Sequence, residues 1–154
     1  SCGLRSNMGI GAVSSIITIP MIAWIYRKDQ GRYEKQQESW WKYKAASRYG
    51  MWLVFEKKTG TLIGRAGVEH REELNGDMEL GYAIRTSFQH QGYAYEVCQA
   101  IMQYAGEELQ VHLLHCLIQK ENALSEKLAI KLGFSYCGDR EIDGVLMSDY
   151  QIEW

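Results

Sequence analysis

Residues 78–97 read MELGYAIRTSFQHQGYAYEV, in which a strand pattern is followed by a polar loop and then a helical pattern. Between Met78 and Ile84, large apolar side chains alternate with Glu79, Gly81 and Ala83. This alternation predicts a strand with one buried face. The other face carries a single carboxylate beside two very small residues, which leaves open space above the strand.

The loop Gln89–Ala94 joins this strand to the next element. Apolar residues follow at helical spacing over Tyr93–Leu109, which predicts an amphipathic helix. Gly92 lies at the start of that helix, where main-chain N–H groups and the close approach that a glycine permits favour an anion such as phosphate. The sequence therefore predicts a strand, an anion-binding loop and a helix in succession.

The rest of the chain continues a mixed α/β order without repeats or linkers. Asn122 is a good N-cap for a helix that runs through Leu132, and Gly133 follows it as a C-terminal cap. We therefore predict one α/β domain of the α+β type over residues 1–154. The further predicted elements are a helix over Tyr33–Arg48 and strands over Met51–Phe55, Leu62–His70, His112–Gln119, Phe134–Cys137 and Val145–Trp154.

The first 32 residues are less informative. Ser14–Ile19 is rich in β-branched residues and predicts a buried strand that Pro20 would end. The segment Met8–Tyr26 contains no charged residue and is just long enough to span a membrane. Its glycines, serines and proline, however, make it only weakly apolar. We expect no membrane insertion.

The composition excludes several classes of protein. The chain has 154 residues, 46% of them hydrophobic, and a formal net charge of −2, so we expect an ordinary globular core and no nucleic-acid partner. The four cysteines have no metal or redox spacing, and scattered cysteines are typical of a reduced, cytoplasmic protein. His112, His115 and Cys116 are predicted to be strand residues, so we expect no metal. Trp40 and Trp41 are interpreted as core residues, with a substrate pocket as the alternative.

Four short motifs occur in order: ELGY at 79–82, QxxGxA at 89–94, NxxS at 122–125 and LGF at 132–134. This series, over residues 33–154, resembles the GNAT superfamily of acetyl-CoA-dependent N-acetyltransferases. The branch that acetylates ribosomal-protein N-termini is the most similar in pattern. The resemblance implies a GNAT fold, which is a central twisted mixed, mostly antiparallel sheet with helices on both faces.

The resemblance also implies how acetyl-CoA would bind. The main-chain amides of Gln89, His90, Gln91, Gly92, Tyr93 and Ala94 would hold its pyrophosphate. The strand end at Ala83, Ile84 and Arg85 would pair with the pantetheine arm, which Asn122 would also contact. A main-chain N–H near Ile84 would then polarise the thioester carbonyl.

Two catalytic residues follow from the resemblance. Glu79 would act as the base for the attacking amine, directly or through a water, with His70 as the alternative. Many members carry a tyrosine at the position of Ala129, and in its absence Ser125, or else Tyr136 or Tyr150, would donate to the departing thiolate. No cysteine is expected to form an acetyl-enzyme, so the amine would attack directly in a ternary complex.

Residues 1–32 depart from the family pattern, which leaves the acceptor open between a peptide N-terminus and a small-molecule amine. A non-catalytic acyl-CoA-binding or regulatory module of the same fold is the alternative function. Dimers are common in the family, so the resemblance also allows a homodimer.

Overall fold

The computed structural model describes residues 15–20 and 50–154. Its strands are β1 (Ile16–Pro20), β2 (Gly50–Glu56), β3 (Leu62–His70), β4 (Met78–Ile84), β5 (Leu113–Gln119), β6 (Ser135–Ile142) and β7 (Val145–Glu153). Within the described residues the α-helices are α1 (Tyr93–Glu107) and α2 (Ala123–Leu132), and short 3₁₀ turns occupy Glu72–Leu74 and Thr86–Phe88. The predicted helix Tyr33–Arg48, the Trp40-Trp41 pair and most of the uncharged segment Met8–Tyr26 lie outside the described residues.

All the described strands form one seven-stranded sheet in the order β1-β2-β3-β4-β5-β7-β6. Every neighbouring pair is antiparallel except β4 and β5, which are parallel. The predicted mixed, mostly antiparallel sheet is confirmed. Within residues 15–20 and 50–154, no helix is both long and apolar enough to cross a membrane.

Both described helices pack on the same face of the sheet. Alternation along β4 turns Met78 and Leu80 to this face, and both belong to one buried cluster with Val97 and Ile101 of α1 and Leu132 of α2. We call this the helix face, and we call the side that carries Glu79 the opposite face. The resemblance implies helices on both faces, and the further predicted helix, Tyr33–Arg48, falls in the part of the chain that is not described.

The element boundaries agree with the sequence for β3, β4 and α2 and differ elsewhere by a few residues. The first strand spans Ile16–Pro20, and Pro20 is its last residue, paired with Trp52, rather than the residue that follows it. The first helix ends at Glu107 instead of Leu109.

The largest difference is at β6, which continues to Ile142 where the sequence predicted an end at Cys137. Gly138 has a φ of 105°, and the pairing with β7 shifts register between Tyr136 and Asp139. The charged residues beyond this bulge show no apolar alternation. They are in a strand because they pair with β7 across the turn at Asp143-Gly144.

Candidate active site

The strands β4 and β5 separate soon after they meet. Only Met78 with Leu114 and Glu79 with His115 are paired across them. From Leu80 onward β4 stays paired with β3, while β5 stays paired with β7. A V-shaped gap therefore opens in the middle of the sheet, and main-chain groups along its edges have no neighbouring strand.

The register with β3 shows which residues of β4 face this gap. The N–H of Arg85 donates to the carbonyl of Ile63, so Arg85 and, by alternation, Ala83 direct their main-chain groups towards β3. The Ala83 oxygen would lie 2.2 Å from a Cβ placed on Gly64, which is consistent with that direction. The main-chain groups of Tyr82 and Ile84 point into the gap instead.

The loop after β4 is held by its own side chains. Gln89 Nε2 donates to the carbonyl of Ile84 at 2.9 Å, and Gln91 Nε2 donates to that of Ser87 at 3.2 Å. Arg85 Nη1 donates to the carbonyl of Leu62 at 3.0 Å, so the guanidinium lies against β3. These contacts fix the shape of the loop, and they engage the side chains of three residues that the sequence placed at the cofactor.

Gly92 begins α1 with a φ of 86° and a ψ of 0°, a left-handed conformation that favours glycine. The first N–H groups of a helix have no partner within the helix, and together they form a positive end. Tyr93 secures this end to β2, because its hydroxyl donates to the carboxylate of Glu56. The start of α1, with its exposed N–H groups, therefore lies at the mouth of the gap.

A cavity of about 410 Å³ runs along the helix face from this helix end towards the gap. Seven of the predicted cofactor-binding residues line it: four from the loop, the cap Asn122, and Ile84 and Ser125. Its lining residues are Tyr82, Ile84, Phe88, Gln89, His90, Gly92, Ala94, Tyr95, Asn122, Leu124, Ser125, Leu128 and Lys131. The side chain of Glu79 is not among them, because it is on the opposite face of β4.

Asn122 and Ser125, at the start of α2, border the cavity. Asn122 caps the helix, and its Oδ1 accepts the N–H of Ser125 at 3.1 Å. The Ser125 hydroxyl lies beside that of Tyr82, across from β4. Burial raises the pKa of Tyr82 to about 12, with the neighbouring Ser125 acting in the opposite direction. Tyr82 is a site residue that the sequence analysis did not single out, because its alternation indicated only a core position.

On the opposite face, Glu79 is largely buried next to Arg71, whose Nε lies 3.3 Å from Glu79 Oε2. Burial raises the pKa of Glu79, and the charge of Arg71 opposes the shift. A Cβ placed on Gly81 would meet nothing within 4 Å, so the space above β4 next to Glu79 is open. A carboxylate with a raised pKa beside open space is suited to accept a proton.

A buried polar cluster lies below the gap. His115 is 3% exposed, with its Nδ1 2.8 Å from Asp149 Oδ1 and its Nε2 3.1 Å from Asp77 Oδ2. Arg140 Nη2 and Gln151 Nε2 also donate to Asp149. The sequence marked His115 only as a strand residue, since nothing local indicates that two carboxylates from distant elements meet it. Within residues 15–20 and 50–154, no group of His, Cys, Asp and Glu could hold a metal ion.

The alternative donors and base are engaged elsewhere. His70 Nδ1 lies 2.8 Å from the carbonyl of Gly76, where it supports the turn before β4. The Tyr136 hydroxyl donates to Asp139 at 2.6 Å, and its ring contacts that of Tyr150. Neither tyrosine borders the cavity described above.

The described cysteines are free thiols, of which Cys98 and Cys116 are buried. Burial raises the pKa of Cys116 to about 12 and raises that of Cys98 well above its ordinary value. Both therefore remain protonated and unreactive at neutral pH.

The site thus consists of a splayed pair of parallel strands with a helix start at the mouth of the gap. The sequence model of the family described as "Acetyltransferase (GNAT) domain" matches residues 16–135. The chain therefore belongs to the GNAT acetyltransferase family.

Two relatives from Bacillus subtilis (strain 168) are similar in sequence. The uncharacterized protein YkkB is 30% identical over 108 residues, which is 67% of this chain and 63% of YkkB. The uncharacterized N-acetyltransferase YjdG is 27% identical over 86 residues, which is 56% of this chain and 51% of YjdG. The matched stretch thus covers less than two thirds of the length of either relative.

Solved structures share the fold at lower sequence identity. A chain from Bordetella pertussis, described as a GNAT-family acetyltransferase, has a TM-score of 0.72 at 19% identity and covers 94% of this chain and 99% of its own. A chain from Vibrio cholerae, described as a ribosomal-protein-serine acetyltransferase, has a TM-score of 0.62 at 24% identity. The match covers 81% of this chain and 75% of the Vibrio cholerae chain. These similarities support the predicted GNAT fold.

Proposed function

We propose that the chain transfers the acetyl group of acetyl-CoA to a primary amine by direct attack in a ternary complex. The observation that carries this proposal is the gap between β4 and β5, which has the cavity on the helix face of β4 and the open space beside Glu79 on its opposite face. Donor and acceptor can then approach the same carbonyl from the two faces of the sheet. The two faces supply different chemistry.

The helix face would bind acetyl-CoA. The free N–H groups after Gly92 would hold the pyrophosphate, since an anion at a helix start is stabilised by both the N–H groups and the helix dipole. Lys131 borders the cavity and stacks over the Tyr95 ring at 4.2 Å, so it offers a positive charge to the phosphates. The pantetheine arm would take the place of the missing strand and pair with the main chain of Tyr82 and Ile84.

The acetyl transfer would occur at the narrow end of the gap. The N–H of Ile84 points into the gap and would stabilise the oxyanion of the tetrahedral intermediate. A bond forms between the amine nitrogen and the acetyl carbon, then the carbon–sulfur bond breaks and its electron pair remains on sulfur. Ser125 borders the cavity and would donate a hydrogen bond to that thiolate.

Glu79 would accept the proton that the amine loses. Its raised pKa makes the carboxylate a stronger base than an ordinary glutamate, and the small residues Gly81 and Ala83 leave room for the amine. The protonated, buried thiols of Cys98 and Cys116 support direct attack rather than an acetyl-enzyme.

The acceptor is proposed only as a class, a peptide N-terminus or a small-molecule amine. The Vibrio cholerae relative is described as acting on a ribosomal protein serine, which favours testing N-terminal peptides first. A cytoplasmic location, a homodimer and the lack of a nucleic-acid partner stay predictions.

The test is isothermal titration of the purified protein with acetyl-CoA and with S-acetylpantetheine, which lacks the nucleotide and pyrophosphate. We expect binding that depends on the pyrophosphate, followed by release of free thiol when a panel of N-terminal peptides and small amines is added. Binding without turnover of any amine would favour the non-catalytic acyl-CoA-binding or regulatory module. No binding of acetyl-CoA would contradict the proposal.

A further inference from the structure

The hydroxyl of Tyr82 is buried and makes no hydrogen bond of normal geometry in the part of the chain that the structure describes, where the Ser125 hydroxyl is its polar neighbour. Most buried polar atoms in proteins have a partner, and an unsatisfied one is costly, so such a group needs an explanation. Tyr82 borders the cavity, and the hydroxyl of Ser125 lies beside it. The phenol therefore has hydrogen-bonding capacity left for an atom of a molecule in the cavity.

The position of Tyr82 in β4 indicates which atom of a bound molecule its hydroxyl would contact. Tyr82 lies three residues after Glu79, so the two side chains are on different faces of the strand. The phenol is on the cavity side, where β4 has already left β5. The donor half of a thioester in the gap would meet Tyr82, whereas the attacking amine would meet Glu79.

We propose that the Tyr82 phenol, beside Ser125, donates a hydrogen bond to the coenzyme A sulfur as the thioester bond breaks. This inference rests on the proposed function. In the step, the nitrogen–carbon bond forms and the carbon–sulfur bond breaks, its electron pair stays on sulfur, and the amine proton goes to Glu79. The phenol keeps its own proton, and coenzyme A leaves as the thiolate.

Retention of the phenol proton agrees with the environment of the ring. Burial raises the pKa of Tyr82 to about 12, whereas a free thiol ionises near about 8.5. A thiolate therefore cannot remove the phenol proton to any useful extent. Tyr82 would stabilise the thiolate as a hydrogen-bond donor at every working pH.

The experiment compares the affinities of coenzyme A and acetyl-CoA at pH 7 and pH 9.5 by isothermal titration. Both ligands carry the same phosphates, but only coenzyme A has a sulfur that ionises in this range. In the wild type, we expect the affinity ratio of coenzyme A to acetyl-CoA to rise about tenfold at pH 9.5, as befits a hydrogen bond to a charged atom. In Tyr82→Phe this rise should disappear.

Three further variants and measurements separate the explanations. Tyr104→Phe makes the same change on α1 outside the cavity and should retain the rise in the affinity ratio. The thermal midpoint of unliganded Tyr82→Phe should be close to that of the wild type, because the hydroxyl makes no hydrogen bond of normal geometry within the described residues. Ser125→Ala should retain part of the rise, since Tyr82 remains.

Several outcomes would overturn the inference. A full rise in Tyr82→Phe would contradict the role of its hydroxyl. A rise that vanishes only in Ser125→Ala would assign the sulfur to Ser125 alone. A midpoint lowered by several degrees in Tyr82→Phe would show that the hydroxyl has a structural role. If the wild type binds neither ligand, the proposed function itself fails, and this result is distinct from a failure of Tyr82 alone.

Discussion

At Glu79 a single side chain combines a raised pKa with access to the open space above Gly81. Because only the ionised carboxylate can accept a proton, kcat/KM should fall at low pH with an inflection above the ordinary glutamate value of 4.5. Glu79→Gln should lower kcat about 100-fold or more and remove this inflection. Rates measured from pH 5 to pH 9 test this, with the exposed Glu72→Gln as a control that keeps the inflection.

The raised pKa of Glu79 also predicts how Glu79→Gln affects stability, which separates a catalytic role from a structural one. The folded protein holds the Glu79 proton more tightly than the unfolded chain does. Ionisation of Glu79 therefore costs stability as the pH rises from the unfolded to the folded pKa, and the cost persists above it. Glu79→Gln should thus unfold no more easily than the wild type at pH 7. A clearly lower thermal midpoint would argue for a structural role instead.

Gly92 has a left-handed backbone at the start of α1, and a Cβ there would meet nothing within 4 Å. Gly92→Ala should therefore cost only backbone strain, about 1 kcal/mol of unfolding free energy, and should weaken acetyl-CoA binding by moving the helix N–H groups. Gly76→Ala is the matched control. Its φ of 85° and open surroundings give the same strain, but it lies in the turn before β4. Equal affinities in the two variants would contradict a role for Gly92 at the pyrophosphate.

At the scale of the elements, Gly67 of β3 and Gly81 of β4 are register partners with opposite surroundings. A Cβ on Gly67 would lie 2.1 Å from the main-chain oxygen of Gly50, whereas one on Gly81 would meet nothing. Gly67→Ala should force β2 and β3 apart and lower the unfolding free energy by about 2 kcal/mol or more. Urea unfolding measures the difference.

Gly81→Ala should leave the unfolding free energy nearly unchanged and lower turnover, because its methyl group occupies the space above β4 beside Glu79. Gly67→Ala is therefore expected to change stability, whereas Gly81→Ala is expected to change activity. Full turnover in Gly81→Ala would indicate that the acceptor does not use this space.

Most elements were predictable because their signals are local. Alternation gave β4 and the return from a tight turn gave β3, each with its observed bounds, and the Asn122 and Gly133 caps gave the ends of α2. The second half of β6 was not predictable, since its charged residues become a strand only through pairing with β7.

At the scale of the whole molecule, Asp149 joins several parts of the sheet. It is 2% exposed and binds His115 of β5, Arg140 of β6 and Gln151 of its own strand. Asp149→Ala leaves a buried imidazole and a guanidinium without their shared partner, and it should lower the unfolding free energy by about 3 kcal/mol. Asp139→Ala, which breaks the exposed contact with Lys120, should have a much smaller effect in the same urea titration. Equal effects would contradict a structural role for the buried cluster.

The sequence alone was sufficient for the strand–loop–helix unit, for Gly92 at the helix start and for a carboxylate beside small residues at Glu79. These features depend on alternation, capping and backbone preference, which act over a few residues. The gap between β4 and β5, the direction of the Tyr82 and Ile84 main chain, and the meeting of His115 with Asp149 were not accessible in this way. They arise from strand register and packing between residues far apart in the chain, which no local pattern encodes.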